Sequence, residues 1–195
     1  MINNDSQVRS WKLFVIIVVV LNAPCYSFGT CIETSIQLSH QADVLIKNQA
    51  SITEAIDLYE KANLCFYNTE NWESYIHNSI AIAVGYAKNG DTTTLSRFDE
   101  IFDIIYTQLN GIDSLVALAF HKKGVACYTL YDDLNAIKNY QEALNIRLKY
   151  LPSRNQNIIN GYRNIGECFY YLNQQDSARF YLRACLLYTS PSPRD

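Results

Sequence analysis

The three histidines are the first residues to examine for metal or acid–base chemistry, because imidazole serves in both roles near neutral pH. They are His40, His77 and His121, and each is isolated in the sequence. No cysteine, carboxylate or second histidine accompanies any of them at the spacing that a zinc site requires. Glycine-rich phosphate-binding loops and the G-x-S-x-G nucleophile motif do not occur either. The sequence therefore predicts no metal site, no cofactor and no enzyme activity.

One pair of adjacent carboxylates, Asp132 and Asp133, has the composition of an acid–base pair. The pair falls in a short polar turn between two apolar helical patterns. Aspartate is common at such a position because its side chain caps the first backbone N–H groups of the next helix. We therefore interpret this pair as a solvated helix start.

Six cysteines are present, and two of them lie in segments that we assign to the ends of the chain, Cys25 and Cys185. The other four contain no C-x-x-C pair, which argues against a zinc or redox motif. Cys127 and Cys168 lie on the apolar sides of two helical patterns, where free cysteine behaves as a small buried hydrophobe. A disulfide between Cys31 and Cys65 is compatible with an exported protein, and the sequence leaves this pairing open.

Composition indicates a helical protein. Apolar residues make up 49% of the 195 residues, and there are only seven glycines and four prolines, so the chain can form a core with few breaks. The formal net charge of −3 is accompanied by no basic stripe. The sequence therefore predicts no binding to nucleic acid.

Apolar residues recur at helical spacing in eight segments, and no segment alternates as a strand does. The predicted helices span residues 32–48, 53–62, 72–88, 95–109, 115–130, 134–150, 157–172 and 174–184. The equivalent position in the second helix of each pair is Ala55, Leu95, Ala136 and Ala178, with sequence spacings of 40, 41 and 42. Gly124 and Gly166 repeat the last of these spacings. A nearly constant period of this length predicts an all-α fold, an α-solenoid of about four antiparallel helix hairpins.

The last two hairpins resemble the tetratricopeptide repeat family. The third supplies the aromatic and small residues of its motif as Phe120, Gly124, Tyr128, Ala136, Tyr140, Ala143 and Leu144. The fourth supplies them as Tyr162, Ile165, Gly166, Phe169, Ala178, Tyr181 and Leu182. The likeness extends over residues 32–184 and is weaker in the first two hairpins. The long period is similar to that of the repeats in bacterial signalling proteins and kinesin-light-chain-like arrays.

The resemblance implies a function in binding. In tetratricopeptide arrays the first helix of each hairpin lines a concave surface that holds a protein or peptide. Transferred to this sequence, the candidate groove residues are His121, Lys122, Val125, Tyr128, Arg163, Asn164, Glu167 and Tyr170. This mixture of cationic, amide and tyrosine side chains suits a peptide, including one that carries a carboxylate.

Residues 1–29 are typical of a secretory signal peptide. Arg9 and Lys12 precede a nine-residue apolar run, and small residues follow it. We therefore expect export to the periplasm or the cell surface. An uncleaved membrane anchor is the alternative, and lipidation at Cys25 is disfavoured because Pro24 precedes it.

The C-terminal segment, residues 185–195, resembles an in-frame translation of a transposase-type sequencing adapter. We therefore expect residues 30–184 to form the solenoid, its last helix to end at Ala184, and the natural chain to continue differently. Two functions remain open on this basis. One is an exported binding scaffold, and the other is the extracytoplasmic sensory part of a longer histidine kinase or helix-turn-helix regulator.

Overall fold

Eight α-helices make up the structure, a computed structural model that describes residues 28–152 and 154–189. They are α1 Phe28–Lys47, α2 Ile52–Asn68, α3 Trp72–Lys88, α4 Thr94–Gln108, α5 Asp113–Thr129, α6 Asp133–Tyr150, α7 Gln156–Tyr171 and α8 Gln175–Thr189. No strand occurs among these residues. The predicted all-α solenoid is confirmed.

Each helix packs mainly on its neighbours in the chain. The hairpins are α1–α2, α3–α4, α5–α6 and α7–α8. The second helix of each hairpin packs on the first helix of the next hairpin. The first helices α3 and α5 also contact each other directly. Neighbour-only packing of this kind is what defines a solenoid.

Tight turns with one left-handed residue join most of the helices. Gly90 lies two residues after the end of α3 with φ 81°, the left-handed conformation in which glycine commonly ends a helix. Tyr131 and Asn173 take the same conformation in the α5–α6 and α7–α8 turns, at φ 61° and 57°. A turn this short forces the two helices to run antiparallel.

Side-chain caps begin four of the helices. On α7 the cap is Asn155, which accepts from the Asn157 backbone N–H at 2.9 Å. Ser51 accepts a hydrogen bond from the Glu54 backbone N–H, which is the first half of a capping box. Asp132 accepts one from the Asn135 N–H at 3.2 Å, so its carboxylate does serve a helix start. Asn71 caps α3 in the same way.

Two helices, α4 and α5, begin without a side-chain cap hydrogen bond. Thr93 precedes α4 but makes no side-chain cap, because Asp91 instead accepts the Thr93 backbone N–H at 2.9 Å. The residue before α5 is Ile112, so Asp113 already lies in the first turn, where its charge favours the positive end of the helix dipole.

The predicted end of the last helix at Ala184 is wrong, since α8 continues to Thr189. The segment 185–189 contains no glycine or proline, and the next helix-breaking residue is Pro191. The first helix, α1, begins at Phe28 and so overlaps the end of the expected leader, which stays a prediction. The rest of that leader, and residues 190–195, lie outside the described residues.

Three groups of buried side chains form the core, one for each junction between hairpins. The group between the last two hairpins contains Tyr140, Leu144, Ile158, Ile165 and the two free cysteines predicted to be buried, Cys127 and Cys168. Burial raises the pKa of both thiols, which keeps them protonated at neutral pH.

Gly124 allows α5 to approach α6 closely. A methyl group in place of its hydrogen would lie 2.7 Å from the Tyr140 ring, which is 3% exposed. Gly166 has the same relation to Leu182, at 2.8 Å. The two glycines of the repeat period therefore mark the points where each hairpin closes.

A disulfide joins Cys31 of α1 to Cys65 of α2, at a sequence separation of 34. This is the Cys31–Cys65 pairing that the sequence analysis left open. Within the described ranges, no helix has the length and apolar character needed to cross a bilayer.

Gly124→Ala should lower the free energy of unfolding by about 1–3 kcal/mol, because the new methyl group overpacks against the enclosed Tyr140 ring. Chemical denaturation followed by circular dichroism measures the change. Gly29→Ala is the control, since nothing lies within 4 Å of that site. Equal stability of Gly124→Ala and the parent protein would contradict the close contact.

Reduction of the Cys31–Cys65 disulfide should lower the free energy of unfolding by about 3–4 kcal/mol, because it releases the constraint on a loop of this length in the unfolded chain. Thermal unfolding with and without a phosphine reductant gives the change in Tm. The Cys31→Ala/Cys65→Ala variant should show no response to the reductant, and a reductant effect in that variant would assign the change to another cysteine.

Candidate functional site

Half of the candidate groove residues lie on α5, at the middle and end of the helix. His121, Lys122, Val125 and Tyr128 are all partly buried. Val125 and Tyr128 contact the core group between the last two hairpins. These four residues are one, three and three positions apart, so they lie on one side of a helix with about 3.6 residues per turn.

The other half lies on α7, one hairpin later. Arg163, Glu167 and Tyr170 are exposed, whereas Asn164 is partly buried. The Arg163 Nε and Glu167 Oε1 atoms are 3.7 Å apart, and the two residues are one helical turn apart in sequence. A surface pair of this kind is weak, so both groups stay available to a ligand.

Two pairs of candidate residues interact by charge between α5 and α7. The charge of Arg163 contributes to lowering the pKa of His121, and that of Glu167 contributes to raising the pKa of Tyr128. Tyr128 also shares a hydrogen bond with Tyr171, the largest cause that raises its pKa to about 12. Their rings are 6.0 Å apart, so Tyr171 belongs to this surface although the sequence did not indicate it. Neither of these two interactions includes Asn164.

Arg147 is the principal residue that the sequence analysis missed. It lies near the end of α6 and is only 5% exposed, although arginine is rarely buried without a partner. Its Nη1 donates to the Asn157 carbonyl oxygen at the start of α7, 3.2 Å away. The sole sequence signal was an arginine one helical turn after the apolar Leu144, on the side of α6 that faces α7.

His121 lies in an environment that opposes protonation. Burial is the main cause that lowers its pKa to about 4, and the positive charges of Arg147, Lys122 and Arg163 add to it. Its ring packs 5.4 Å from the Tyr140 ring. The Nδ1 atom is enclosed and has no hydrogen-bond partner among the described residues.

Lys122 is subject to the same excess of positive charge. Burial is the main cause that lowers its pKa, and the charges of Lys88 and Arg147 lower it further. In the described part of the chain, no ion pair joins Lys122, Lys88 or Arg147 to a carboxylate. We call Arg147, Lys122 and His121 the cationic cluster.

This surface carries cationic, amide, carboxylate and phenol groups. The charges of Lys122 and Arg147 act on His121, whose ring packs on that of Tyr140, and Asn164 and Glu167 lie on α7. Across residues 28–152 and 154–189, no group of three or more histidine, cysteine and acidic side chains could hold a metal ion.

Stability should fall as the pH drops from about 6.5 towards 4, because His121 is neutral in the folded protein and gains a proton more readily when unfolded. The sign follows from its lowered pKa: in this range the unfolded chain binds more protons. Denaturation at several pH values in wild type and His121→Gln measures the effect. The variant should lose part of the pH slope, whereas His77→Gln, which changes an exposed histidine, should keep it.

Solved structures of other proteins share this architecture. Two crystal structures of a Podosopora anserina putative kinesin light chain with nearly identical TPR-like repeats superpose with TM-scores of 0.62 and 0.64. Each is 15% identical to this chain and covers 93% of it, and the alignments cover 85% and 84% of those chains.

BtubC (BKLC) from P. vanneervenii is similar as well, with a TM-score of 0.62 and 16% identity. The alignment covers 83% of this chain and 67% of that chain. The sequence matches no family profile and no curated protein. At these identities the likeness is one of fold, and the fold is a TPR-like repeat solenoid.

Proposed function

We propose that this chain is a protein- or peptide-binding scaffold and that its ligand lies across α5 and α7. The observation that carries the proposal is the cationic cluster, which has no acidic partner among the described residues. The exposed Tyr170 and the partly buried Tyr128 lie on the same two helices, α7 and α5. Tyrosine and arginine are among the residue types that dominate binding energy at protein interfaces. The eight candidate groove residues supply this surface from the first helices of two successive hairpins.

The charge of the surface favours an acidic ligand. Burial is the main cause that lowers the pKa of His121 and of Lys122, and the positive charge of Arg147 lowers both further. An acidic peptide would supply the missing negative charge, and electrostatic attraction would also raise its rate of association. A neutral or basic peptide gains neither effect.

We also propose that the protein acts after export. The apolar run near the N-terminus supports this proposal, and so does the Cys31–Cys65 disulfide, because structural disulfides persist mainly in oxidising compartments. A periplasmic or cell-surface scaffold would then meet peptides or protein segments outside the cytoplasm.

Binding can be tested with an array of short immobilised peptides that vary in net charge. We expect the folded chain to retain acidic peptides and to release them as salt is raised, since screening weakens attraction between charges. The Lys122→Ala/Arg163→Ala/Asn164→Ala variant should bind the best of these peptides roughly tenfold more weakly or worse.

The matched control replaces the same residue types on second helices, as Lys138→Ala/Arg179→Ala/Asn145→Ala. All three control side chains are exposed. Equal loss of affinity in both variants would show only a general effect of net charge. Retention of acidic peptides by the groove variant at full affinity would refute the assignment of the ligand to α5 and α7.

A further inference from the structure

We propose that Tyr67, Trp72 and Tyr75 form a binding site for a small cationic quaternary ammonium compound of the choline type. Tyr67 lies at the end of α2, and Trp72 and Tyr75 lie in the first turn of α3. The candidate groove residues lie on α5 and α7, so this three-ring site is separate from them. It therefore adds a second kind of ligand and does not depend on the proposed function.

The three rings are close enough together to share one ligand. Their centroids are 5.4 Å apart for Tyr67 and Trp72, 5.7 Å apart for the two tyrosines, and 6.0 Å apart for Trp72 and Tyr75. A cation is attracted to an aromatic ring within about 6 Å of its centroid. Because the centroids form a triangle with nearly equal sides, one point above its plane can lie within that distance of all three rings.

The rings meet at large angles and are open to solvent. Trp72 is nearly perpendicular to both tyrosines, with interplanar angles of 89° and 83°. Tyr67 is 52% exposed, and Trp72 and Tyr75 are only partly buried. Rings that lie crosswise present their faces in several directions, which suits a compact, rounded group better than a flat one.

The charge around the three-ring site favours a cation. Residues 62–87 contain no lysine or arginine, whereas Glu70 and Glu73 lie within this stretch and are exposed. In the described part of the chain, neither glutamate forms an ion pair. Their carboxylates are therefore free to attract a positively charged ligand to the neighbouring rings.

The charges that act on Tyr75 from the next helix, α4, have opposite signs. Burial is the main cause that raises the pKa of Tyr75, the charge of Glu100 raises it further, and that of Arg97 lowers it. The Arg97 guanidinium also interacts with a different ring, since its central carbon lies 4.6 Å from the Tyr86 centroid. The negative charge beside the three rings therefore comes from Glu70 and Glu73.

These features together identify the class of ligand. A quaternary ammonium carries one positive charge and donates no hydrogen bond, so aromatic faces suit it better than acceptor atoms do. A primary ammonium is compact and strongly hydrated, and it gains less from such a surface. The two glutamates repel a ligand that also carries an anion, which favours choline over phosphocholine.

The fluorescence of Trp72 measures binding directly. The other tryptophan, Trp11, is replaced by phenylalanine in the full chain so that Trp72 alone is observed. We expect a saturable change in emission with choline chloride, at an ionic strength held constant with sodium chloride. The neutral analogue, which has a tert-butyl group in place of trimethylammonium, should bind roughly tenfold more weakly. Phosphocholine, which represents a lipid headgroup, should also bind more weakly than choline.

Substitutions separate the aromatic ring from apolar volume. Tyr67→Phe keeps an aromatic face and should bind choline within about twofold of the parent chain, whereas Tyr67→Leu should bind it roughly fivefold more weakly. Glu70→Gln/Glu73→Gln should weaken binding and reduce its dependence on salt. Tyr106→Leu, which changes a tyrosine of α4 that is 56% exposed and lies outside the three-ring site, should leave the affinity unchanged.

Three outcomes would overturn the proposal. Equal affinity for choline and its neutral analogue would reduce the site to apolar contact. Tighter binding of phosphocholine than of choline would assign the rings to a lipid headgroup. An emission of Trp72 that does not change with choline, in a chain that circular dichroism shows to be helical, would exclude the site. Loss of choline affinity in Tyr67→Leu with recovery in Tyr67→Phe would support it.

Discussion

The contact between a large side chain and a glycine on the facing helix is the constraint on which the last two hairpins depend. Tyr140 lies where a side chain at Gly124 would have to be, and Leu182 lies in the same way against Gly166. Close approach of this kind fixes the separation of the two helices in a hairpin. Since each hairpin packs only on its neighbours, the same contact, repeated one period later, also sets how α7 follows α5.

The candidate groove follows from that repetition. His121 and Arg163 are separated by the same interval as Gly124 and Gly166, and so are Tyr128 and Tyr170. Equivalent side chains therefore appear on successive first helices. Tyr140, held by Gly124, packs on the His121 ring and so connects the closing contact of the hairpin to the surface. A change that loosens the hairpin should therefore also displace the groove.

The charge distribution of this surface differs from that of other parts of the array. Elsewhere, cations find partners, as Lys61 does with Asp57 and Lys123 with Asp99, at 2.6 and 2.9 Å. In the cationic cluster the nearest charged groups repel one another, and burial strengthens that effect. Natural proteins often retain such unfavourable arrangements at functional sites, where a ligand completes them.

The sequence by itself determined the helices, their pairing and the residues that close the hairpins, because these follow from local periodicity and from small residues at a constant spacing. It also placed the eight groove residues on two helices. The predicted end of α8 was wrong, since periodicity does not resolve where the last turn of a helix stops. Only the tertiary structure joined Cys31 to Cys65 and placed Arg147 where its charge acts on Lys122 and His121. Arg147 lies on the second helix of its hairpin, so its place depends on how α5, α6 and α7 pack together, which no repeat position encodes.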